Sequence, residues 1–129
     1  MRRVIAVDFD GTLCSQNWPK IGEPNTELIE QLKKEQERGT ALILFTCRSG
    51  RMLRDAVKWS KDQGLKFDQV NRNLPERIKA YRGDTRKISA DLYIDDRNVA
   101  FKFGSKLSLT EKSKPDAESK TNGGNDNAD

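Results

Sequence analysis

The sequence predicts an α/β fold: a three-layer, Rossmann-like, capless domain in which helices cover both faces of a mostly parallel sheet. Two observations carry this. Runs of wholly apolar residues at 4–7, 41–45 and 92–94 are too short for helices and read as strands buried on both faces. Each run exits into polar residues, and the stretches between them carry helical patterning, so strand and helix alternate as they do around a parallel sheet.

The first strand, residues 4–7, delivers Asp8, Phe9, Asp10, Gly11 and Thr12 at its carboxyl end, where parallel sheets bind ligands. Period-two geometry puts Asp8 and Asp10 on one side and Phe9 on the other. Two carboxylates this close repel unless a proton or a cation lies between them, so the pair calls for Mg²⁺ or a shifted pKa. The plainer alternative is a charged strand end with a turn. Residues 14–24, with Trp18, Pro19, Gly22 and Pro24, form a loop or small flap, and Trp18 either packs back onto the body or lies over a ligand. A helix starts at Pro24 to Glu27, shows Leu28, Ile29 and Leu32 on one side, and stops at Gly39.

The second strand, 41–45, ends in Thr46, Cys47, Arg48 and Ser49. The Thr46 hydroxyl and the N–H groups of that turn can donate to a phosphate, aided by the amino end of the next helix. Cys47 sits beside the site but its chemistry is optional, and as a small packing residue it is explained without catalysis. Ser49 is the expected N-cap of a helix carrying Met52, Leu53, Ala56, Val57 and Ser60 on one face, with Gly64 as its stop. Residues 65–70 read as a shorter third strand followed by Asn71, Arg72 and Asn73, which are specificity residues or a self-bonded Asn-rich turn. Pro75 opens a brief helix through Tyr81. The fourth strand, 92–94, ends in Asp95 and Asp96, and Lys87 precedes it closely enough to reach the same edge. Acids around one point with an ammonium nearby suit phosphoryl transfer.

Composition narrows the chemistry. The chain has 129 residues and no His, which excludes Ser-His-Asp and Cys-His nucleophile schemes and the usual zinc sites. Two Cys, Cys14 and Cys47, make no disulfide framework, so a reducing, cytoplasmic setting is expected. Arg2 and Arg3 precede an apolar run too short for a signal sequence or a membrane span, so no membrane partner is expected. The formal charge of +4 suits phosphorylated ligands, but with no basic stripe and little aromatic interleaving it does not describe a nucleic-acid platform. Residues 104–129 read as a low-complexity tail too polar to offset its ordering entropy, leaving 1–103 as the folded domain; a tail that binds another protein is the alternative.

Four ordered motifs, Asp8-Phe9-Asp10-Gly11-Thr12, Thr46, Lys87 and Asp95-Asp96, resemble the haloacid dehalogenase superfamily of aspartate-nucleophile phosphatases. The stretch from Lys87 to Arg97 is similar to the corresponding part of the 5′(3′)-deoxyribonucleotidases. The resemblance covers about residues 1–103 and implies a Mg²⁺-dependent phosphomonoester hydrolase. It implies Asp8 as the nucleophile that forms an aspartyl-phosphate and Asp10 as general acid and base. Mg²⁺ would be held by Asp8, the Asp10 carbonyl and Asp95, with Asp96 ordering its waters or only capping the next turn, while Thr46 and Lys87, or Arg86 in place of Lys87, grip the phosphoryl group. Gly11, Thr12, Cys47, Arg48 and Asn71 are the expected substrate-binding residues.

No stretch is long enough for the cap domain that many relatives insert, so the expected partner is a phosphorylated molecule, small rather than polymeric, reaching an open site that a second copy of the chain could close. Two other functions fit the same residues. One is a non-catalytic phospho-signalling or binding module, although such receivers take phosphate on a later strand and here the third strand ends at Val70 and Asn71. The other is the 3′-phosphatase unit of a nucleic-acid repair enzyme, for which no basic groove is visible.

Overall fold

The computed structural model describes residues 1–110. Its elements follow in the order β1 (Val4–Val7), α1 (Thr26–Glu37), β2 (Ala41–Leu44), α2 (Gly50–Asp62), β3 (Gln69–Val70), α3 (Pro75–Tyr81) and β4 (Leu92–Ile94). The sheet order is β3-β2-β1-β4, and each neighbouring pair runs parallel. The chain therefore steps outward from β1 through β2 to β3, then crosses back to lay β4 on the far side of β1. That reversal makes the carboxyl ends of β1 and β4 the topological switch point, where open α/β sheets bind ligands.

Alternation along the strands divides the core in two. Ile5, Val7, Leu42 and Leu44 pack with Leu28, Ile29 and Leu32 of α1 and Ala56 of α2. Val4, Ala6, Ala41 and Ile43 face the other way, against Leu74 at the head of α3 and Ile88. All four β1 residues are buried, which explains their apolar run. Each such side chain contributes about 1.5–3 kcal/mol when fully buried. The three layers expected from sequence are thus present, around a wholly parallel sheet.

Side chains pin the strand ends. The Asp91 carboxylate accepts the Val4 N–H at 2.8 Å and Arg77 Nη2 at 3.0 Å, which fixes the start of β4 against the start of β1. In the resulting register Val7 pairs with Ile94, and the next residue on each strand is an acid.

Three local details depart from expectation, and a fourth agrees with it. The third strand is confined to Gln69–Val70, because the Asp68 side chain accepts the Leu42 N–H at 2.9 Å and does the work of a ladder carbonyl. Helix α1 begins at Thr26, within the expected span from Pro24 to Glu27, and the buried Asn25 accepts the Leu28 N–H as its N-cap. Ser49 precedes α2 as expected but makes no side-chain cap bond. The packed chain also runs past residue 103. Leu107 and Leu109 pack against the core on the α1 face, and the Gln31 amide donates to the Leu107 carbonyl at 2.7 Å and accepts its N–H at 3.1 Å. Two leucines at i, i+2 are masked in sequence by the polar residues around them. The expected tail beyond residue 110 lies outside the described residues. Among the described residues, no helix is long and apolar enough to cross a membrane.

Candidate functional site

The register of β1 and β4 brings three carboxylates together. One oxygen each of Asp8, Asp95 and Asp96 lies within 4.8 Å of the others, and all three residues are half-buried. The cluster is organised from the β1 turn. Gly11 takes φ +81°, and a Cβ there would collide with the Asp96 carboxylate, so only glycine leaves room for it. The fully buried Thr12 hydroxyl donates to Asp8 Oδ2 at 3.1 Å and accepts the Asp96 N–H at 2.8 Å. Asp95 Oδ1 accepts the Arg97 N–H at 2.9 Å, which holds the turn after β4.

Such a cluster is electrostatically unfavourable on its own. Burial pushes the Asp8 carboxyl up to about 7, and the negative charge of Asp95 adds to the rise, against hydrogen bonds from the Phe9 N–H and the Thr12 hydroxyl. A divalent cation among the three groups would remove that repulsion. Three carboxylates with no nitrogen or sulfur donor form a hard oxygen set, which suits Mg²⁺ or Ca²⁺ better than a soft transition metal.

Asp10 stands apart from the cluster. Its carboxylate meets Arg48 edge-on, with Nε donating to Oδ2 at 2.9 Å and Nη2 to Oδ1 at 2.8 Å. This bidentate pair raises the Arg48 guanidinium above its ordinary pKa. Arg48, expected from sequence to bind substrate, instead spends these donors inside the protein. The Asp10 carboxylate is likewise absent from the metal-binding group, although the role expected of it there was through its carbonyl.

Of the remaining candidates, Thr46, Cys47 and Asn71 stand at the exits of β2 and β3, while Lys87 lies beside Tyr93 and is not brought into the acid cluster. Thr46 is half-buried at the end of β2, its N–H donates to Asn71 Oδ1 at 2.8 Å, and its hydroxyl oxygen accepts the Arg48 N–H at 3.1 Å. Asn71, at φ 56°, thus braces the Thr46 turn from the end of β3. Cys47 is exposed and free beside them. Lys87 is also exposed, its ammonium 5.5 Å from the centre of the Tyr93 ring, and among the described residues it forms no ion pair. A groove of about 400 Å³ lies between β4 and the C-terminal segment, with Leu92, Ile94, Phe101, Leu107 and Leu109 in its walls, and touches the cluster at Asp95.

Sequence reasoning missed two features. The Thr12 bridge joins residues 84 positions apart, and the Arg48 clamp joins residues 38 apart. No local signal marks either, because the burial that obliges Arg48 to find a carboxylate arises only on folding.

No protein-family model matches the chain, and no curated protein matches it either. A conserved protein from Bacteroides thetaiotaomicron is similar in structure, with a TM-score of 0.67 and 42% sequence identity over 77% of this chain and 79% of that one.

Proposed function

The chain belongs to one family with that conserved Bacteroides thetaiotaomicron protein, and from the acids at its sheet edge we propose that it is a Mg²⁺-dependent phosphomonoester hydrolase of the haloacid dehalogenase superfamily. The observation that carries the proposal is the convergence of Asp8, Asp95 and Asp96 at the switch point of a parallel sheet, with the Asp8 carboxylate held by Thr12. Asp8, Asp95 and Asp96 would hold the cation, which neutralises the cluster and draws charge from the phosphoryl oxygens.

The chain's own groups then divide the work. An Asp8 oxygen attacks phosphorus, and the ester P–O bond breaks as the Asp8–phosphorus bond forms. Asp10, taking up a proton on one oxygen as substrate binds while the other stays on Arg48, gives that proton to the leaving oxygen, a contribution of roughly 10² to 10⁴ in rate. Water then attacks the aspartyl-phosphate and surrenders a proton to Asp10, which restores both carboxyl groups and releases inorganic phosphate. Thr46 and the N–H groups of its turn donate to the phosphoryl oxygens, and Lys87 swings from Tyr93 to add its charge. Cys47 borders the leaving group, and the ester portion of the substrate stays partly in solvent because no cap covers the edge.

The test is phosphate release from an aryl phosphate with and without Mg²⁺. Magnesium-dependent turnover that disappears in Asp8→Asn supports the proposal. Undiminished turnover in that variant removes Asp8 as nucleophile, and a phospho-Asp8 that persists for hours without turnover points to a signalling module.

A further inference from the structure

Arg48 is the most enclosed charged group near the site, with its side chain 1% exposed, and its contacts divide between two parts of the protein. On the body, it holds both oxygens of Asp10, and one face of the guanidinium lies 5.1 Å from the ring centre of Phe9. Phe9 is itself fixed, buried and edge-on to Trp59 of α2 with ring centres 5.5 Å apart. On the flap, Nη2 donates to the Lys20 carbonyl at 3.0 Å, and the guanidinium carbon lies 5.1 Å from the centre of the Trp18 ring.

The flap is anchored at its base, where Cys14 pairs with Pro24 and the Ser15 N–H donates to the Glu23 carbonyl at 2.8 Å. Its tip is different. Residues 16–20 are exposed, Trp18 by 56%, and among the described residues the bond from Arg48 to Lys20 is the hydrogen bond that joins this tip to the body. An exposed loop with small contact area is held only by what reaches it. Here that is a guanidinium whose own position depends on Asp10, because an enclosed Arg without a carboxylate is not stable in place.

We propose that Arg48 is a positioning residue that fixes the Asp10 carboxylate and the flap tip as one unit, so that the aim of the acid/base group and the placement of Trp18 beside the site are set together. The kinetic consequence rests on the hydrolase proposed above; the mechanical coupling does not.

The experiment uses the full chain and two independent readouts. By NMR, the heteronuclear NOE of the amides of residues 16–21 and the indole resonance of Trp18 are compared in wild type, Arg48→Met, Arg48→Lys, Asp10→Asn and Asp8→Asn. The Asp10 side chain makes no hydrogen bond to the flap tip, and its bridge to Cys14 at the flap's base is a backbone one that Asp10→Asn keeps. The substitution should nevertheless lower the tip NOE values and move the Trp18 resonance as Arg48→Met does, while Asp8→Asn leaves both as in wild type. A flap unchanged in Asp10→Asn, or equally loosened by Asp8→Asn, overturns the coupling. Should Arg48→Met fail to fold, Asp10→Asn and Arg48→Lys decide the matter alone.

In turnover of an aryl phosphate, Arg48→Lys should lower kcat by roughly 10² with KM within about a factor of two, as expected for a misplaced acid. The reverse split, KM raised and kcat retained, makes Arg48 a substrate ligand and overturns the positioning role. Absence of turnover in the wild type sinks the hydrolase and leaves the NMR comparison to judge the coupling.

Discussion

The backbone N–H of Asp96 donates to the Thr12 hydroxyl oxygen at 2.8 Å, which ties the turn after β4 to the turn after β1. The same hydroxyl gives its proton to Asp8 at 3.1 Å, so a single buried side chain sets the spacing of two acids that arrive on different strands. Thr12→Val keeps the shape and removes both bonds. Leaving the Asp96 N–H and one lone pair of Asp8 unsatisfied should cost about 1–3 kcal/mol in urea denaturation, and Thr12→Ser should restore most of it.

Stability should depend on pH through Asp8. Its folded pKa is about 7, raised from 3.8 chiefly by burial and further by Asp95. A carboxyl raised on folding binds its proton more tightly in the native state, so its favourable contribution is complete below the unfolded value and is lost as pH climbs through the folded one. In chelator, the wild type should lose stability relative to Asp8→Asn between about pH 4 and pH 7. Paired denaturation curves at pH 4.5 and 8 check this, and a constant difference between the two proteins contradicts it.

Divalent cation should stabilise the wild type by mass action, about 2.7 kcal/mol at a concentration one hundred times Kd. Thermal melts with and without Mg²⁺ read this as a rise in Tm. Asp95→Asn and Asp96→Asn should each shrink the rise, and Asp10→Asn should leave most of it, because the Asp10 carboxylate points to Arg48 rather than to the cluster.

Gly11→Ala should separate folding from ion binding. The new methyl must displace the Asp96 carboxylate, and the +81° φ at this position adds about 1–2 kcal/mol of backbone strain. The methyl meets the Asp96 carboxylate rather than a core side chain, so a native circular dichroism spectrum together with a Mg²⁺ affinity reduced at least tenfold is the expected result by calorimetry.

Leu107→Ala tests the extended boundary of the packed chain. Leu107 lies partly buried against the core and is bracketed by Gln31, so its truncation should cost about 2 kcal/mol, the low end for a Leu→Ala change. A residue in a solvated tail would show no change.

Much of the fold was legible because its signals are local. The runs that became β1 and β2 are buried on both faces, so each apolar stretch marks a strand with no knowledge of its neighbours, whereas β4, expected to be buried likewise, is an edge strand that leaves Tyr93 exposed. Helix α3 was bounded as found, Pro75–Tyr81, since a proline at its first turn is a local stop and start signal. The third strand was overdrawn because a side chain, Asp68, took over part of the ladder, and no propensity records that substitution. In sequence Leu107 and Leu109 read as tail because their polar neighbours outweigh them in composition, whereas packing depends on the two side chains alone.

By itself the sequence determined that strands and helices alternate, that each strand exit is polar, and that acids stand at two of those exits. These properties follow from burial and period along the chain. Only the tertiary structure decided which exits are neighbours. Sheet order β3-β2-β1-β4 put Asp95 and Asp96 beside Asp8, and turned Asp10 away to a guanidinium 38 residues distant. Partners that far apart are chosen by strand register and crossover direction, and by an enclosed Arg's need for a carboxylate, none of which is encoded in a local pattern.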